Sequence, residues 1–466
     1  MDPRFFPHNT HHEEPLFFRD RDPQLRQLKR LPKSYRPPLL DALPKDAPGI
    51  FTLGGGRQVG KTTLLKLWMA ELLERGISPE SLVFLSGEMI DDHHSLLRHL
   101  QEVLAEMPDK GTRRIILDEV TYIRNWDRAV KFVADAGMLE RTSLMITGSD
   151  LALMLEAKAT FPGRRGAEDV VDFHLRPLSF RESYTLEVGD EAVAEITASD
   201  RRPTPEELEP VFGAFERYLI HGGYLTAIND MAAEGRIRRA TLAIYADWIR
   251  GDFAKRGRKE ESLREILGAV IRRMGSQITW NSLARDLSIE HPKTVADYVD
   301  LLVSMDAVFV QPALIENRLA GAPKKARKVM YSDPFIFHAV RSWLRPVDDP
   351  FSEQIVSAVR APEICARLVE ACVATHCARH FPTFYIKAAG EVDVAYVAEG
   401  RFWPVEVKWS EQARPAELKQ IQKYENGRIL TRSRSVGAVQ GLPTIPLPLA
   451  LLRWPECMGK AGRNPG

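Results

Sequence analysis

An α/β fold built on a parallel sheet is predicted for the first third of this chain, on three observations. Short apolar runs alternate with amphipathic segments from residue 50 to about residue 150. A glycine-rich turn, GGGRQVGKTT, joins the first run to the first helix-like segment. A pair of acids, Asp118-Glu119, closes a later run. The length of 466 residues is too great for one core and calls for about three domains.

The elements follow in order. Residues 1–49 are polar and basic; they form an N-terminal helical or irregular segment, with Leu25, Leu28 and Leu31 spaced for one short helix before a proline cluster. Residues 50–189 form the α/β domain. Its strand-like runs are GIFTLGG, SLVFLSG, RRIILDEV and SLMITGS, and DVVDFHLRPLSF can add a fifth. The segments between them, KTTLLKLWMAELLERG, DDHHSLLRHLQEVLAEM and NWDRAVKFVADAGMLE, carry helical periodicity. Residues 190–254 read as a helical, lid-like region. Residues 255–349 read helix, helix, turn, helix, strand, a winged-helix pattern followed by the basic loop NRLAGAPKKARKV, with Pro292 where a helix N-terminus tolerates it. Residues 350–445 form a second α/β unit: a helix, three strands and a helix, PAELKQIQKY. Residues 446–466 are a tail.

Composition is that of an ordinary globular chain, with 44% hydrophobic and 27% charged residues, which excludes a fibre, a disordered chain or a disulfide miniprotein. The net charge of +1 leaves nucleic-acid binding open, because opposite charges can be segregated by domain. Four cysteines, three of them at Cys365, Cys372 and Cys377, do not make a disulfide framework. The start lacks an apolar signal region and no stretch is long enough to span a bilayer, so a cytoplasmic protein without membrane contact is expected.

The glycine-rich turn holds Gly55-x-x-x-x-Gly60-Lys61-Thr62 between a strand and a helix, the context of a phosphate-binding P-loop. Gly55, Gly56, Arg57, Gln58, Val59, Gly60, Lys61, Thr62 and Thr63 are the expected nucleotide cradle. Glycines let backbone N–H groups approach the phosphates of ATP, and the helix N-terminus favours their charge. Lys61 reaches the β- and γ-phosphates and Thr62 ligates Mg²⁺. Asp118, 57 residues after Lys61, fits the Walker-B carboxylate that holds Mg²⁺, and Glu119 fits the base that orients the attacking water. Thr147 and Ser149 end the next strand, where a polar residue senses the γ-phosphate or simply caps a helix. Arg164 and Arg165, in GRRG, read either as an arginine finger, in cis or across a subunit interface, or as a solvated basic turn.

The combination GRQVGKTTLL, ILDEV, TGS, GRR, LRPLSFRE and YLIHGGYLTAI resembles one group of prokaryotic ATPases of the AAA-plus superfamily. These carry a C-terminal domain of unknown function ending in a PD-(D/E)xK nuclease-like core. The resemblance covers about residue 20 to residue 430 and implies a RecA-like ASCE sheet, ATP hydrolysis and homo-oligomerisation.

In the last α/β unit, Asp393 is followed by Glu406-Val407-Lys408, a spacing that resembles the PD-(D/E)xK core. Glu406 and Lys408 share one strand face because side chains repeat every two residues. Two carboxylates, Asp393 and Glu406, can then hold Mg²⁺, and Lys408 can orient water or stabilise developing charge. Glu370 resembles the family's helix glutamate, and Gln420 or Gln422 its polar helix position. Three outcomes stand: DNA cleavage, binding of metal or nucleic acid without turnover, or a scaffold. Cys372, His376 and His380 fall on one helix face, where core packing outweighs zinc, and His8, His11 and His12 read as solvated. The helix KTVADYVDLLV, with Lys293, and the basic segment Lys324, Lys325, Arg327 and Lys328 can meet double-stranded DNA, although winged helices also dock proteins. The function expected is an ATP-hydrolysing ATPase acting on DNA with a Mg²⁺-dependent nuclease-like end; the alternative is a nucleotide-switched regulator that binds DNA or a protein partner.

Overall fold

The structure, a computed structural model, describes residues 1–149, 160–161, 163–198, 201–289, 291–410 and 417–454. The predicted tail, residues 446–466, begins instead with a buried helix, Leu447–Leu452, and from residue 455 it lies outside the described residues. The chain divides into two compact units that meet at Arg176 and Pro177.

In the first unit five parallel strands stand in the order β2-β3-β4-β1-β5. They are β1 (Gly49–Gly54), β2 (Leu82–Ser86), β3 (Arg113–Asp118), β4 (Thr142–Thr147) and β5 (Asp172–His174), the last from the run expected to supply a fifth. Each interior strand reads as a continuous apolar run because both faces are covered. Alternate residues serve opposite sides: Ile50, Ile115, Leu117, Leu144 and Ile146 enter one core, and Phe51, Leu53, Ile116 and Met145 enter the other. Helices α5 (His93–Glu106) and α6 (Trp126–Asp135) cover the first face. Helix α4 (Lys61–Glu74) covers the second, together with Phe18, Leu25, Leu40 and Leu43 from the N-terminal segment.

That segment corrects the expectation of a solvated start. Edge strand β2 turns the N–H and C=O of Phe84 and the C=O of Leu82 away from β3, a row of unpaired groups that must be satisfied. Asn9 answers both Phe84 groups: its Oδ1 accepts from Phe84 N at 2.7 Å and its Nδ2 donates to Phe84 O at 2.8 Å. His11 Nε2 and His12 Nε2 both lie on Leu82 O, at 2.8 and 2.9 Å. His11 is fully buried, and burial pushes its pKa down to about 3, so it is a neutral edge-capping group.

The second unit opens with helices Phe180–Val188, Asp190–Thr197, Pro205–His221, Leu225–Glu234 and Arg239–Lys255. Helices Glu260–Arg273, Trp280–Arg285 and Pro292–Ser304 follow, with Pro292 in the first turn as expected. Strands β6 (Gln277–Ile278), β7 (Val308–Pro312) and β10 (Arg327–Tyr331) form an antiparallel sheet in the order β6-β10-β7, and β8 (Leu314–Ile315) pairs with β9 (Ala320–Gly321).

The helix Pro362–Ala378 then precedes a six-stranded sheet. Its strands are β11 (Thr383–Lys387), β12 (Glu391–Ala398), β13 (Arg401–Lys408), β14 (Arg428–Thr431), β15 (Gly437–Val439) and β16 (Leu442–Pro446). The first three are antiparallel neighbours, β14 runs parallel to β13, and β16 runs parallel to β14. The first two residues of the predicted helix PAELKQIQKY fall outside the described residues; within the rest only a 3₁₀ turn, Ile421–Lys423, forms in place of a regular helix. Among the described residues no helix is long and apolar enough to cross a membrane.

Candidate functional site

The glycine-rich turn bridges β1 and α4. Gly55 has φ near 149° and a Cβ there would stand 2.3 Å from Leu175 O, so only glycine lets the chain after β5 pack against the turn. Gln58 and Gly60 take left-handed φ values of 60° and 100°, which curl the loop around the first turn of α4. Gly60 caps that helix without any side-chain hydrogen bond, leaving its N-terminal dipole toward the loop. Lys61 is buried, donates to Gly55 O and Gly56 O at 3.0 Å, and faces Glu119 Oε1 at 3.5 Å. Arg57 donates to Tyr122 Oη at 3.1 Å, and Val59 packs on the second core.

Strand order assembles the rest. Because β4 lies between β1 and β3, its terminal Thr147 stands beside the end of β3. Thr62 Oγ1 donates to Asp118 Oδ2 at 2.8 Å, and Thr147 Oγ1 donates to Asp118 Oδ1 at 2.5 Å. The Glu119 N–H donates to Thr147 Oγ1 at 2.9 Å, which holds Glu119 in a left-handed conformation at φ 53°. Burial raises the pKa of Asp118, while the hydrogen bonds from Thr147 and Thr62 oppose that rise. Thr62 and Asp118 present hard oxygen donors side by side, a set that fits Mg²⁺. Ser149 is buried just beyond β4.

The GRRG arginines are engaged elsewhere. Arg165 donates to Asp172 Oδ2 at 2.9 Å and to Val171 O at 3.1 Å, stapling its loop to the β1–β5 edge. Arg164 pairs with Asp135. A finger role for either requires these pairs to open.

In the second unit the structure brings Glu370, Asp393, Glu406 and Lys408 to one end of the six-stranded sheet, and adds Glu391 and a lysine expected on a surface loop. Lys328, on β10, is 1% exposed; its Nζ lies 2.7 Å from Glu370 Oε1 and 3.8 Å from Asp393 Oδ1, and it pairs with Glu391. Lys328 is therefore no phosphate contact, as a surface basic loop would have it. Its neighbour Arg327 stacks on Trp280 at 4.5 Å, and Lys324 and Lys325 remain exposed. The signal for Lys328 was a lysine followed by the apolar run Val329-Met330-Tyr331; nothing local says where such a lysine finds its counter-ion.

Asp393 Oδ2 accepts from Val407 N at 2.9 Å, so one carboxylate oxygen serves the β12–β13 junction. Lys408 Nζ lies 2.9 Å from Glu406 Oε1. Glu406 Oε2 is buried without a hydrogen-bond partner among the described residues. Burial first, and Asp393 second, push Glu406 up to about 8; the same two causes push Glu370 up to about 7, against Lys328. Lys328 is lowered by burial but raised by Glu370, Asp393 and Glu391, and the carboxylates prevail. Gln420 lies off the cluster, accepting from Gly390 N at 3.0 Å and donating to Tyr424 Oη at 3.2 Å.

The expected Mg²⁺ ligands Asp393 and Glu406 thus do not fit a metal as arranged. Among the described residues no three His, Cys, Asp or Glu side chains are arranged to hold one, and a lysine ammonium stands among the carboxylates. His376 is no zinc ligand either. Its Nδ1 donates to Cys372 O at 2.7 Å and its Nε2 accepts from Phe180 N at 2.8 Å, both inside the core.

The interposed β4, the loop around Lys61 and the Thr62–Asp118–Thr147 arrangement give the first unit the geometry of a P-loop nucleotide site. Residues 47–184 match the family model described as an AAA domain, and residues 213–346 match a domain of unknown function. The second match ends ahead of the carboxylate unit. No curated protein matches the chain. A Walker-type ATPase of Pyrococcus abyssi is similar at 15% identity and a TM-score of 0.41, over 63% of this chain and 91% of that one. The ORC2 protein of Aeropyrum pernix is similar at 14% and 0.32, over 64% and 89%. Cdc6p of Pyrobaculum aerophilum is similar at 14% and 0.25, over 74% and 98%.

Proposed function

We propose that the chain hydrolyses ATP at the Lys61–Glu119 site and acts on DNA. The observation that carries the first half is the hydrogen-bonded run Thr62–Asp118–Thr147–Glu119 N, which holds both acids at the mouth of the glycine-rich turn. Lys61 binds the β- and γ-phosphates, exchanging its two carbonyl partners for phosphate oxygens. Thr62 and Asp118 would hold Mg²⁺, which would neutralise phosphate charge. Glu119 orients the attacking water; its Oε2 is buried without a partner among the described residues. Arg164 or Arg165 serves as finger if released from Asp135 or Asp172.

DNA contact is supported by the helices and sheet of residues 260–331, which have winged-helix order. Lys293 opens the helix Pro292–Ser304, and Lys324 and Lys325 stand exposed between β9 and β10. The αβββ order of the Pro362–Lys408 segment, with β14 parallel to β13, supports a nuclease-like scaffold. The alternative of a nucleotide-switched regulator with a non-cleaving end is favoured by one observation, the lysine seated among the carboxylates.

ATPase activity of wild type and Lys61→Ala, with and without duplex DNA, beside a plasmid-nicking assay in Mg²⁺ and Mn²⁺, tests the proposal. Lys61→Ala is expected to lose at least about a hundredfold in turnover, and wild type is expected to be stimulated by DNA. Undiminished turnover in Lys61→Ala overturns the site assignment, and stimulation by protein but not DNA overturns the DNA half.

A further inference from the structure

The antiparallel sheet β6-β10-β7 sends one polar row toward the carboxylate cluster. Lys328 is in register with Gln277 on β6 and with Gln311 on β7. All three side chains engage the carboxylate-bearing segment. Gln277 Nε2 donates to Glu391, and Gln311 Nε2 donates to Phe384 O at 2.8 Å and to Asp393 O at 3.0 Å. Lys328 carries the charge of the row and meets Glu370, Glu391 and Asp393. Tyr385 Oη donates to Ala326 O at 2.7 Å beside it, and the Lys328 ammonium stands 5.5 Å from the Tyr385 ring.

Burying an ammonium costs several kcal/mol unless it is well paired, and burying clustered carboxylates costs as much again. Here each offsets the other, which accounts for a lysine with 1% exposure in a strand. The same electrostatics exclude a second cation, because a divalent ion entering between Glu370 and Asp393 would face the ammonium at close range.

The geometry points to Lys328 as a built-in cation that occupies this site in place of a metal ion, so that a divalent cation enters only when the β10 lysine is withdrawn. The carboxylates are then a latch for the β6-β10-β7 sheet, and metal loading is coupled to release of that sheet. This inference goes beyond the proposed ATPase and holds whether or not the unit cuts DNA.

Mn²⁺ titration followed by electron paramagnetic resonance, without nucleotide, tests it. The full chain carrying Thr62→Ala, which removes the P-loop ligand, is the parent. The parent is expected to show no saturable Mn²⁺ site that depends on Asp393. Adding Lys328→Met is expected to create one site per chain, with affinity raised about tenfold or more, and adding Asp393→Asn is expected to abolish it. An Asp393-dependent site already present in the parent overturns the inference, as does a folded Lys328→Met chain without a new site. Where Lys328→Met does not fold, Lys328→Met/Glu391→Gln, which removes one charge of each sign, carries the same readout. Failure of both to fold even with Mn²⁺ shows that no metal replaces the lysine and overturns it too. A new Mn²⁺ site without any nicking keeps the latch and removes the nuclease reading alone.

Discussion

Thr147→Val is the most direct probe of the nucleotide site, because it removes one oxygen and almost nothing else. That oxygen donates to Asp118 at 2.5 Å and accepts from Glu119 N at 2.9 Å. Asp118 is buried and Glu119 half-buried, and valine of nearly the same shape offers a hydrogen bond to neither. A hydrogen bond to a charged group contributes about 1.5–3 kcal/mol, and a buried N–H left unmade costs about 1–3 kcal/mol. The first unit is therefore expected to lose about 2.5–6 kcal/mol. Asp118, already raised by burial, loses one of the two hydrogen bonds that counter it. Glu119 loses the N–H anchor of its left-handed conformation, so both acids drift and ATP turnover falls about 10–100-fold, as for other residues that orient metal ligands. Thr147→Ser keeps the oxygen and is expected to lose only about 0.8 kcal/mol with the methyl group. Because the chain has two units, the assay is amide hydrogen exchange read on the 113–118 peptide of the full chain, beside steady-state ATP hydrolysis. Exchange and turnover of Thr147→Val within the range of Thr147→Ser would refute the reasoning.

Two further predictions concern the sheet edge and the carboxylate cluster. Asn9→Ala strips both partners from Phe84 and is expected to destabilise the first unit by about 2–4 kcal/mol, read as faster exchange at the Phe84 amide. The second unit is expected to lose stability as pH rises. Glu370 and Glu406 move from an ordinary 4.5 up to about 7 and about 8 in the folded chain. An acid with a raised native pKa holds more protons folded than unfolded, so its contribution is full below about 4.5 and is lost as pH climbs through 7 and 8. Melting temperature of the second unit between pH 5 and 8.5 measures this, and Glu406→Gln should flatten the slope; a melting temperature rising across that window contradicts it.

The phosphate loop and the acids at Asp118-Glu119 were legible because their geometry is local. A strand, a glycine turn and a helix N-terminus are adjacent in sequence, and the glycines mark left-handed or crowded backbone directly. The helices Glu260–Arg273, Trp280–Arg285 and Pro292–Ser304 and strand β7 were legible for the same reason, since periods of 3.6 and 2 are written along the chain, whereas β10 was read as part of a basic loop. Arg165 shows where this stops. A basic loop residue reads as a finger or a solvated turn, and only its approach to Asp172 decides that it staples an edge here.

The sequence by itself determined the class of the first unit and which residue types could hold a nucleotide, because those rest on neighbours in the chain. The tertiary structure decided what closes each site. Asn9, His11 and His12 become edge-capping groups only because β2 is the outer strand, which no local period reveals. Thr147 becomes the hinge of the two acids only because β4 inserts between β1 and β3. Lys328 turns from a surface cation into a buried counter-ion because a sheet 42 residues upstream of Glu370 packs against it. A charge in a sequence has a sign; its partner, and with it the choice between holding DNA and excluding a metal, is set by contacts the chain makes at long range.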